Sequence, residues 1–151
     1  MKLTLLCIGK ARGHEAEWCA EYVKRLKAEV TIKELAAPKS IIGVEAQRIE
    51  GQLLLKNIPP KSFVILLDER GKDFSSRDFA ARLQSWQDQS LQHLTFIIGG
   101  ADGVTDEVKK SAHFTISFGH ATWPHRLVRV MLLEQLYRAQ QINAGHPYHR
   151  D

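Results

Sequence analysis

Histidines and arginines gather among apolar and aromatic residues towards the end of the sequence. His120 and His125 stand close together, and residues 146–151 read HPYHRD. Imidazole titrates near neutral pH, so these histidines are candidates for proton transfer or polar contacts, and ordinary surface exposure is the alternative for each. The pair His146 and His149 has no cysteine or acidic residue at a spacing that suggests zinc, so we expect no bound metal.

The last helical pattern is unusually apolar for one that carries arginines. Residues 127–136 read LVRVMLLEQL. A helix that is apolar on more than one face must be covered by its own sheet and by a further partner, which favours a homodimer. Arg126 and Arg129 share a face, and an arginine in apolar surroundings prefers a planar anion such as phosphate. Glu134 and Arg138, at i, i+4, suit an ordinary solvated salt bridge.

The segment after Gly145 is aromatic and basic. Tyr148 and His149 are suited to stacking on an unpaired base, and Arg150 to contacting a phosphate. The net charge of +4 and the pI near 9.2 are compatible with a polyanionic partner but do not require one.

Three loops of unusual composition follow predicted strands. They read LDERGKDF from Leu67, GGADGV at 99–104 and GHATWPHR at 119–126. In a parallel sheet such loops meet at one edge, where ligands bind. The Gly99–Gly100 pair suits either a tight turn or a notch where a ligand approaches the backbone. Asp68 and Asp102 could bond a ribose or cap turns.

The elements that must position these loops alternate along the chain. Apolar runs predict strands, and amphipathic or apolar periodicity predicts helices between them, which indicates an α/β fold with a mainly parallel sheet and helices on both faces. The predicted strands are Leu3–Ile8, Val30–Leu35, Phe63–Leu67, Thr95–Ile98 and Phe114–Phe118. The predicted helices are His14–Lys27, Ile42–Lys56, Ser76–Gln89, Thr105–Ser111 and Pro124–Ile142.

Length and composition limit the remaining classes. The 151 residues, 44% hydrophobic and 25% charged, predict one globular domain over residues 1–151. The apolar run Leu3–Ile8 is too short to span a membrane and resembles no export signal. Cys7 and Cys19, without CxxC spacing, are expected to be reduced core residues of a cytoplasmic protein.

Three longer stretches carry a family pattern. They are FIIGGADGV at 96–104, WPHRLVRVMLLEQLYRA at 123–139 and HPYHR at 146–150, and with the MKLTLLCIGK start they extend over essentially the whole chain. On these stretches the sequence resembles the RlmH (YbeA) family, small bacterial methyltransferases of the SPOUT superfamily that act on large-subunit ribosomal RNA.

The resemblance implies a fold, a cofactor and a substrate. The fold is SPOUT-type with a C-terminal trefoil knot, which general topology rules disfavour. S-adenosylmethionine would bind in the knot of a homodimer, without a membrane or a metal. The substrate would be a pseudouridine in the helix 69 stem-loop of 23S ribosomal RNA, methylated at N3 on assembled ribosomes.

The resemblance also assigns residues by motif position. The cofactor-binding residues would be Leu67, Gly99, Phe118, Gly119, His120, Ala121, Thr122 and Trp123. Residues 119–123 are more polar and bulkier than the family pattern, although backbone contacts to adenine survive such changes. We expect Tyr148 and His149, from the partner subunit, to act as catalytic residues that position the base and assist its deprotonation. Arg129, Arg138 and Arg150 would contact RNA phosphates or polarise the carbonyls of the base.

Two other classes compete for the same residues. One is a noncatalytic RNA-binding or ribosome-associated protein with the same basic surface, which would have no affinity for S-adenosylmethionine. The other is a dinucleotide or flavin enzyme of ordinary doubly wound topology. The spacing of Gly9 and Gly13 after the first strand disfavours it, because it is not the G-x-G-x-x-G fingerprint, and no Walker motif occurs.

Overall fold

The ten elements follow one another in the predicted order. The structure is a computed structural model that describes residues 1–151. Its strands are β1 Lys2–Ile8, β2 Glu29–Leu35, β3 Phe63–Asp73, β4 His93–Ile98 and β5 Phe114–Ser117. Its helices are α1 Gly13–Arg25, α2 Gly43–Asn57, α3 Ser76–Asp88, α4 Asp106–Ser111 and α5 His125–Asn143.

One five-stranded sheet, in the order β2-β1-β4-β3-β5, organises the molecule. All neighbouring strands are parallel, which confirms the predicted α/β class. One face packs against α1, α3 and α5 through Cys19, Phe79 and Leu132. The other face packs against α2 and α4 through Leu54 and Val108. The trefoil knot that the resemblance implies stays a prediction.

Local sequence signals explain where two of the helices begin. The Ser75 hydroxyl accepts a hydrogen bond from the backbone N–H of Asp78 at 3.0 Å, which caps α3. Thr105 caps α4 in the same way through the N–H of Val108.

Cys7 and Cys19 are buried free thiols, as the sequence predicted. No helix has the length and apolar character needed to cross a membrane.

Strand β3 is longer than the sequence predicted. Its apolar part ends at Leu67, but pairing with β5 resumes at Lys72 after a register shift. The intervening segment carries charged side chains, which is why the apolar pattern missed it. Gly71 permits the return, because a Cβ there would lie 2.7 Å from the carbonyl carbon of Ile116. This irregular part of β3 places residues 68–71 beside β5, at the edge of the sheet.

Candidate active site

A cavity of about 730 Å³ lies at the carboxyl ends of β3, β4 and β5. This volume is within the range of small-molecule sites, about 300–1,000 Å³, and the position is where parallel sheets bind ligands. Seven of the eight residues expected at a cofactor site line this cavity. They are Leu67, Gly99, Phe118, Gly119, Ala121, Thr122 and Trp123.

His120 is the expected residue that does not line the cavity. Its side chain is exposed. The loop on either side of it is fixed by two hydrogen bonds. The indole N–H of Trp123 donates to the carbonyl of Phe118 at 3.1 Å, and the hydroxyl of Thr122 donates to Glu69 at 2.6 Å. Gly119 has a φ of +89° and nothing within 4 Å of an added Cβ, so its backbone is open to a ligand.

The glycine loop after β4 forms the opposite wall. A Cβ on Gly99 would lie 2.7 Å from a methyl carbon of Val104, so this position has no room for a side chain. The N–H of Gly103 donates to the carbonyl of Gly100 at 3.0 Å, which closes a turn. Gln47 of α2 donates to the carbonyl of Asp102 at 2.8 Å and holds the loop against its helix. The loop is therefore both a tight turn and a backbone-lined wall.

The cavity also contains charged residues that were not assigned to the cofactor site. Asp68, Glu69 and Arg70 come from the irregular part of β3, and Lys109 comes from α4. Asp68 accepts a hydrogen bond from the backbone N–H of Arg70 at 2.9 Å, so it caps a turn. The composition of the loop after Leu67 was the sequence signal for these residues. The wall therefore offers both signs of charge to a ligand.

His125, at the first turn of α5, contributes a neutral polar group to the cavity. Burial lowers its pKa below the usual value, and the nearby Arg126 and Arg129 guanidinium groups lower it further. The imidazole is therefore uncharged at pH 7. A cationic ligand group would meet no repulsion from it.

The C-terminal tail folds back onto α5 of its own chain. The hydroxyl of Tyr148 donates to Oε1 of Glu134 at 3.1 Å, and Arg138 donates to the same oxygen from Nη2 at 2.6 Å. Nη1 of Arg138 lies 3.1 Å from Nδ1 of His149. Because arginine can only donate, this ring nitrogen accepts, and the other one donates to Asp151 at 3.0 Å.

The end of the tail is attached to α3. Arg77 donates two hydrogen bonds of 2.6 Å to the carboxylate of Asp151, and both side chains are largely exposed. Arg150 is exposed beside them. The structure thus groups Tyr148, His149 and Arg138, and this group lies outside the walls of the large cavity.

Arg129 is in a different place from the other arginines expected to contact RNA. Its side chain is 2% exposed and bonds to Glu34 at 2.6 Å and to the carbonyl of Gly9 at 3.0 Å. Its charge is thus neutralised inside the chain, at the ends of β1 and β2. A phosphate that reached Arg129 would have to displace Glu34.

A second, smaller cavity of about 400 Å³ adjoins the first. The two share the residues at the end of β5, Ile116, Ser117 and Phe118. Phe74, between β3 and α3, and side chains of α1, α3 and α5 form the rest, among them Tyr22, Phe79 and Met131. No group of three or more His, Cys, Asp or Glu side chains in the chain is placed to hold a metal ion.

Comparisons with known proteins agree with this architecture. Residues 1–149 match the family model described as "Predicted SPOUT methyltransferase". A protein of Rhodospirillum centenum named Ribosomal RNA large subunit methyltransferase H is 49% identical over 151 residues, with 99% of each chain covered. The protein of the same name from Paramagnetospirillum magneticum is 44% identical, with the same coverage. The chain belongs to the SPOUT methyltransferase family.

Solved structures support the fold. A probable methyltransferase from Bordetella pertussis Tohama I aligns with a TM-score of 0.59 at 13% identity, covering 91% of this chain and 95% of that one. A probable methylase family protein from Haemophilus influenzae Rd KW20 aligns with a TM-score of 0.58 at 11% identity. That alignment covers 99% of this chain and 70% of the other. At such low identities, the likeness concerns the fold alone.

Proposed function

We propose that this protein transfers a methyl group from S-adenosylmethionine to large-subunit ribosomal RNA. The target is N3 of a pseudouridine in the helix 69 stem-loop of 23S ribosomal RNA on assembled ribosomes, in the cytoplasm. The observation that carries the proposal is the large cavity, in which seven positions of the family pattern meet. The names of the relatives supply the substrate class.

The residues of the large cavity fit S-adenosylmethionine chemically. The open backbone at Gly119 offers peptide groups that can hydrogen-bond an adenine. Acidic side chains such as Asp68 and Glu69 suit the ammonium group of the ligand, and Arg70 and Lys109 suit its carboxylate. The absence of a dinucleotide fingerprint after β1 disfavours a nicotinamide or flavin ligand in this place.

Methyl transfer requires correct alignment of the acceptor nitrogen more than activation of the methyl donor. Bound S-adenosylmethionine supplies a methyl group on a sulfonium, which transfers by in-line displacement once the acceptor nitrogen is correctly placed. The residues of the chain must hold the acceptor in line and accommodate the loss of the N3 proton. Neutral His125 adds no further positive charge to the wall beside the bound donor.

The C-terminal tail, residues 146–151, contributes by positioning the target base. Burial raises the pKa of Tyr148 to about 12, and the adjacent Glu134 carboxylate contributes to this rise. The phenol is therefore protonated at pH 7 and acts as a hydrogen-bond donor. His149 is held between Arg138 and Asp151. In the proposed complex these two residues orient the base, and His149 is the one suited to accept the N3 proton, through the ring nitrogen that Arg138 now bonds.

The proposed assembly is a homodimer of one 151-residue domain. The apolar α5 supports it, because Leu127, Val130 and Met131 of this helix are only partly buried by the chain's own elements. Arg150 and Arg138 are the proposed phosphate contacts on the tail side. Arg129 reaches RNA only if its pair with Glu34 opens, so its proposed role is the least direct.

Calorimetry and RNA mass mapping test the proposal together. We expect purified protein to bind S-adenosylmethionine in a one-to-one ratio per chain, and we expect 23S ribosomal RNA from a gene-deletion strain to lack one methyl group on a pseudouridine. Complementation with the wild-type gene should restore it. Ribosome binding without affinity for S-adenosylmethionine would identify a noncatalytic RNA-binding protein instead, and an unchanged RNA map would reject the proposed target.

A further inference from the structure

The edge of the sheet that holds the large cavity continues beyond it. The cavity lies at the ends of β3, β4 and β5, and the sheet order places the end of β1 next to β4. Residues 9–12, the β1–α1 loop, follow β1 at this edge. Gly9 packs against His125 of the cavity wall, since an added Cβ would lie 3.1 Å from its Nε2. The loop includes none of the α5 side chains that suggest a partner subunit, which are Leu127, Val130 and Met131.

The backbone of the β1–α1 loop is held in place by other parts of the chain. The N–H of Gly9 donates to the carbonyl of Leu35 at 2.8 Å, and the N–H of Ala11 donates to Oε2 of Glu34 at 2.6 Å. Arg129 donates to the same carboxylate oxygen at 2.6 Å and to the carbonyl of Gly9 at 3.0 Å. These bonds use the backbone of the loop and none of its side chains, so the side chains remain free for an external partner.

The two basic side chains of the loop have no partner within the chain. Lys10 and Arg12 are exposed, and neither takes part in an ion pair. The carboxylate that contacts the loop, Glu34, is already bonded to Arg129. Other arginines of the chain do have carboxylate partners, and these are Arg25, Arg48, Arg77 and Arg138. The charges of the loop are therefore available to an anion.

The surroundings of the loop add positive potential. Arg126 follows His125 in the first turn of α5, makes no ion pair, and has a buried Nε without a hydrogen-bond partner. Neither α1 nor α5 begins with a side-chain cap. Cations near the positive end of a helix are unfavourable, so Lys10 and Arg12 are repelled at the start of α1. Glu15, in the first turn of α1, offsets one of these three charges. A bound anion would relieve the remaining repulsion.

We propose that the β1–α1 loop binds the phosphate backbone of the target RNA next to the large cavity, with Lys10 and Arg12 as the contacts. The inference rests on the proposed function and names a surface on which its substrate lies. Phosphate contacts fix the position of a nucleic acid without reading its sequence, which suits a site beside the transferred methyl group. Glu34 and Arg129 are positioning residues, because they hold the backbone of the loop and do not touch the RNA.

The first test removes both cations of the loop. Lys10→Ala combined with Arg12→Ala deletes no ion pair of the chain, so we expect an unchanged melting temperature and an unchanged dissociation constant for S-adenosylmethionine. The KM for ribosomes should rise about tenfold while kcat stays the same. The slope of log(kcat/KM) against the logarithm of the salt concentration should become shallower by about 1.4–1.8, the value for two lost phosphate contacts.

The matched control removes two exposed lysines from the opposite edge of the sheet. Lys2 begins β1, and Lys56 lies in the last turn of α2. Lys2→Ala combined with Lys56→Ala lowers the net charge equally, and we expect its KM and salt slope to stay near those of the wild type. Equal changes in the two double variants, or a wild-type KM in the loop variant, would overturn the phosphate site. Weaker binding of S-adenosylmethionine by the loop variant would overturn it too, because the loop would then serve the cofactor.

The second test releases the backbone of the loop and keeps its charges. Ala11→Pro removes the N–H that donates to Glu34, while Lys10 and Arg12 remain. We expect a KM for ribosomes that is about threefold higher or more, at an unchanged dissociation constant for S-adenosylmethionine. A lower melting temperature with a wild-type KM would show that the bond is structural only and would overturn the positioning role.

Co-sedimentation with ribosomes separates this inference from the proposed function. We expect the loop variant to co-sediment more weakly than both the wild type and the control variant. If the wild type binds ribosomes but neither binds S-adenosylmethionine nor methylates them, the proposed function fails, and weaker co-sedimentation of the loop variant alone would still support the loop as the RNA contact. Equal co-sedimentation of all three proteins would overturn the loop as a contact, whatever the wild type catalyses.

Discussion

The sequence alone does not show whether Arg129 binds a phosphate of a partner or a carboxylate of its own chain. An arginine in an apolar helix suits a phosphate, but here its guanidinium meets Glu34 from β2 and the carbonyl of Gly9. Burial tends to raise the pKa of Glu34, but the hydrogen bonds from the Ala11 N–H and Arg129 outweigh it and lower that pKa below 4.5. The pair joins α5 to the ends of β1 and β2.

Removal of the Glu34 charge should therefore destabilise the fold. Glu34→Gln leaves Arg129 buried without a counter-charge, and because Glu34 is partly exposed we expect a loss of about 2–3 kcal/mol in the free energy of unfolding at pH 7. The folded state lowers the pKa of Glu34, so the contribution is complete above the unfolded value and is lost as pH falls through the folded one. Urea unfolding should show the difference between wild type and variant shrinking as pH falls below 4.5. A constant difference between pH 7 and pH 3 would contradict this account.

Tyr148 provides a second prediction at the residue scale. Tyr148→Phe removes a hydrogen bond to Glu134, and we expect a loss of about 1–2 kcal/mol in the free energy of unfolding. The pKa of Tyr148 is raised in the fold, so its contribution is full below pH 10 and is lost as pH rises through about 12. The difference in ultraviolet titration between wild type and variant should show one phenol that ionises near pH 12. Ionisation near pH 10 would mean that Tyr148 does not contact Glu134.

At the scale of elements, the irregular part of β3 matters most for the large cavity. It brings Asp68, Glu69 and Arg70 to the wall, and Glu69 holds Thr122 in the facing loop. Its return to pairing with β5 depends on Gly71, where a Cβ would lie 2.7 Å from the backbone of Ile116. A methyl group cannot be accommodated there without separating the two strands.

Gly71→Ala should accordingly weaken both the fold and cofactor binding. We expect a loss of about 3 kcal/mol, the upper end of the typical cost of overpacking, and at least about tenfold weaker binding of S-adenosylmethionine. The control is Gly13→Ala, where a Cβ meets nothing within 4 Å and only a φ of +57° opposes the change. That variant should lose about 1 kcal/mol and keep its affinity. Equal effects of the two substitutions, measured by thermal unfolding and calorimetry, would argue against the role of Gly71.

Most of the architecture was predictable from local signals. Continuous apolar runs such as residues 63–67 predicted covered strands, and amphipathic periodicity predicted the helices between them. The extension of β3 was not predictable, because its residues are charged and pair only through an irregular register. These charged residues lie in the cavity wall because of the irregular pairing with β5, which the sequence pattern does not reveal.

The site was predictable where it depends on loops after strands, and not where it depends on distant pairs. Gly99 and the loop from Phe118 to Trp123 follow strand ends, so topology alone gathers them. Glu34 and Arg129 are 95 residues apart, and no local pattern joins them. The attachment of the tail to its own α5 also depends on tertiary structure, since Tyr148 and Glu134 meet only after the chain reverses at Gly145.

For the whole molecule, the proposed dimer can be tested independently of catalysis. The chain has a mass of 17.1 kDa, and the apolar run LVRVMLLEQL in α5 is the feature that suggests a partner. Sedimentation equilibrium at micromolar concentration should give twice this mass. A monomer that binds S-adenosylmethionine and methylates ribosomes at a full rate would show that one chain suffices and would contradict the dimer.

The central claim is methyl transfer to one pseudouridine of the large subunit. Purified protein, S-adenosylmethionine with a labelled methyl group and ribosomes from the deletion strain contain everything the reaction needs. Mass mapping of the 23S ribosomal RNA should find one new labelled methyl group, on N3 of a pseudouridine in helix 69. Absence of label from the RNA, or label confined to any other nucleotide, would contradict the account.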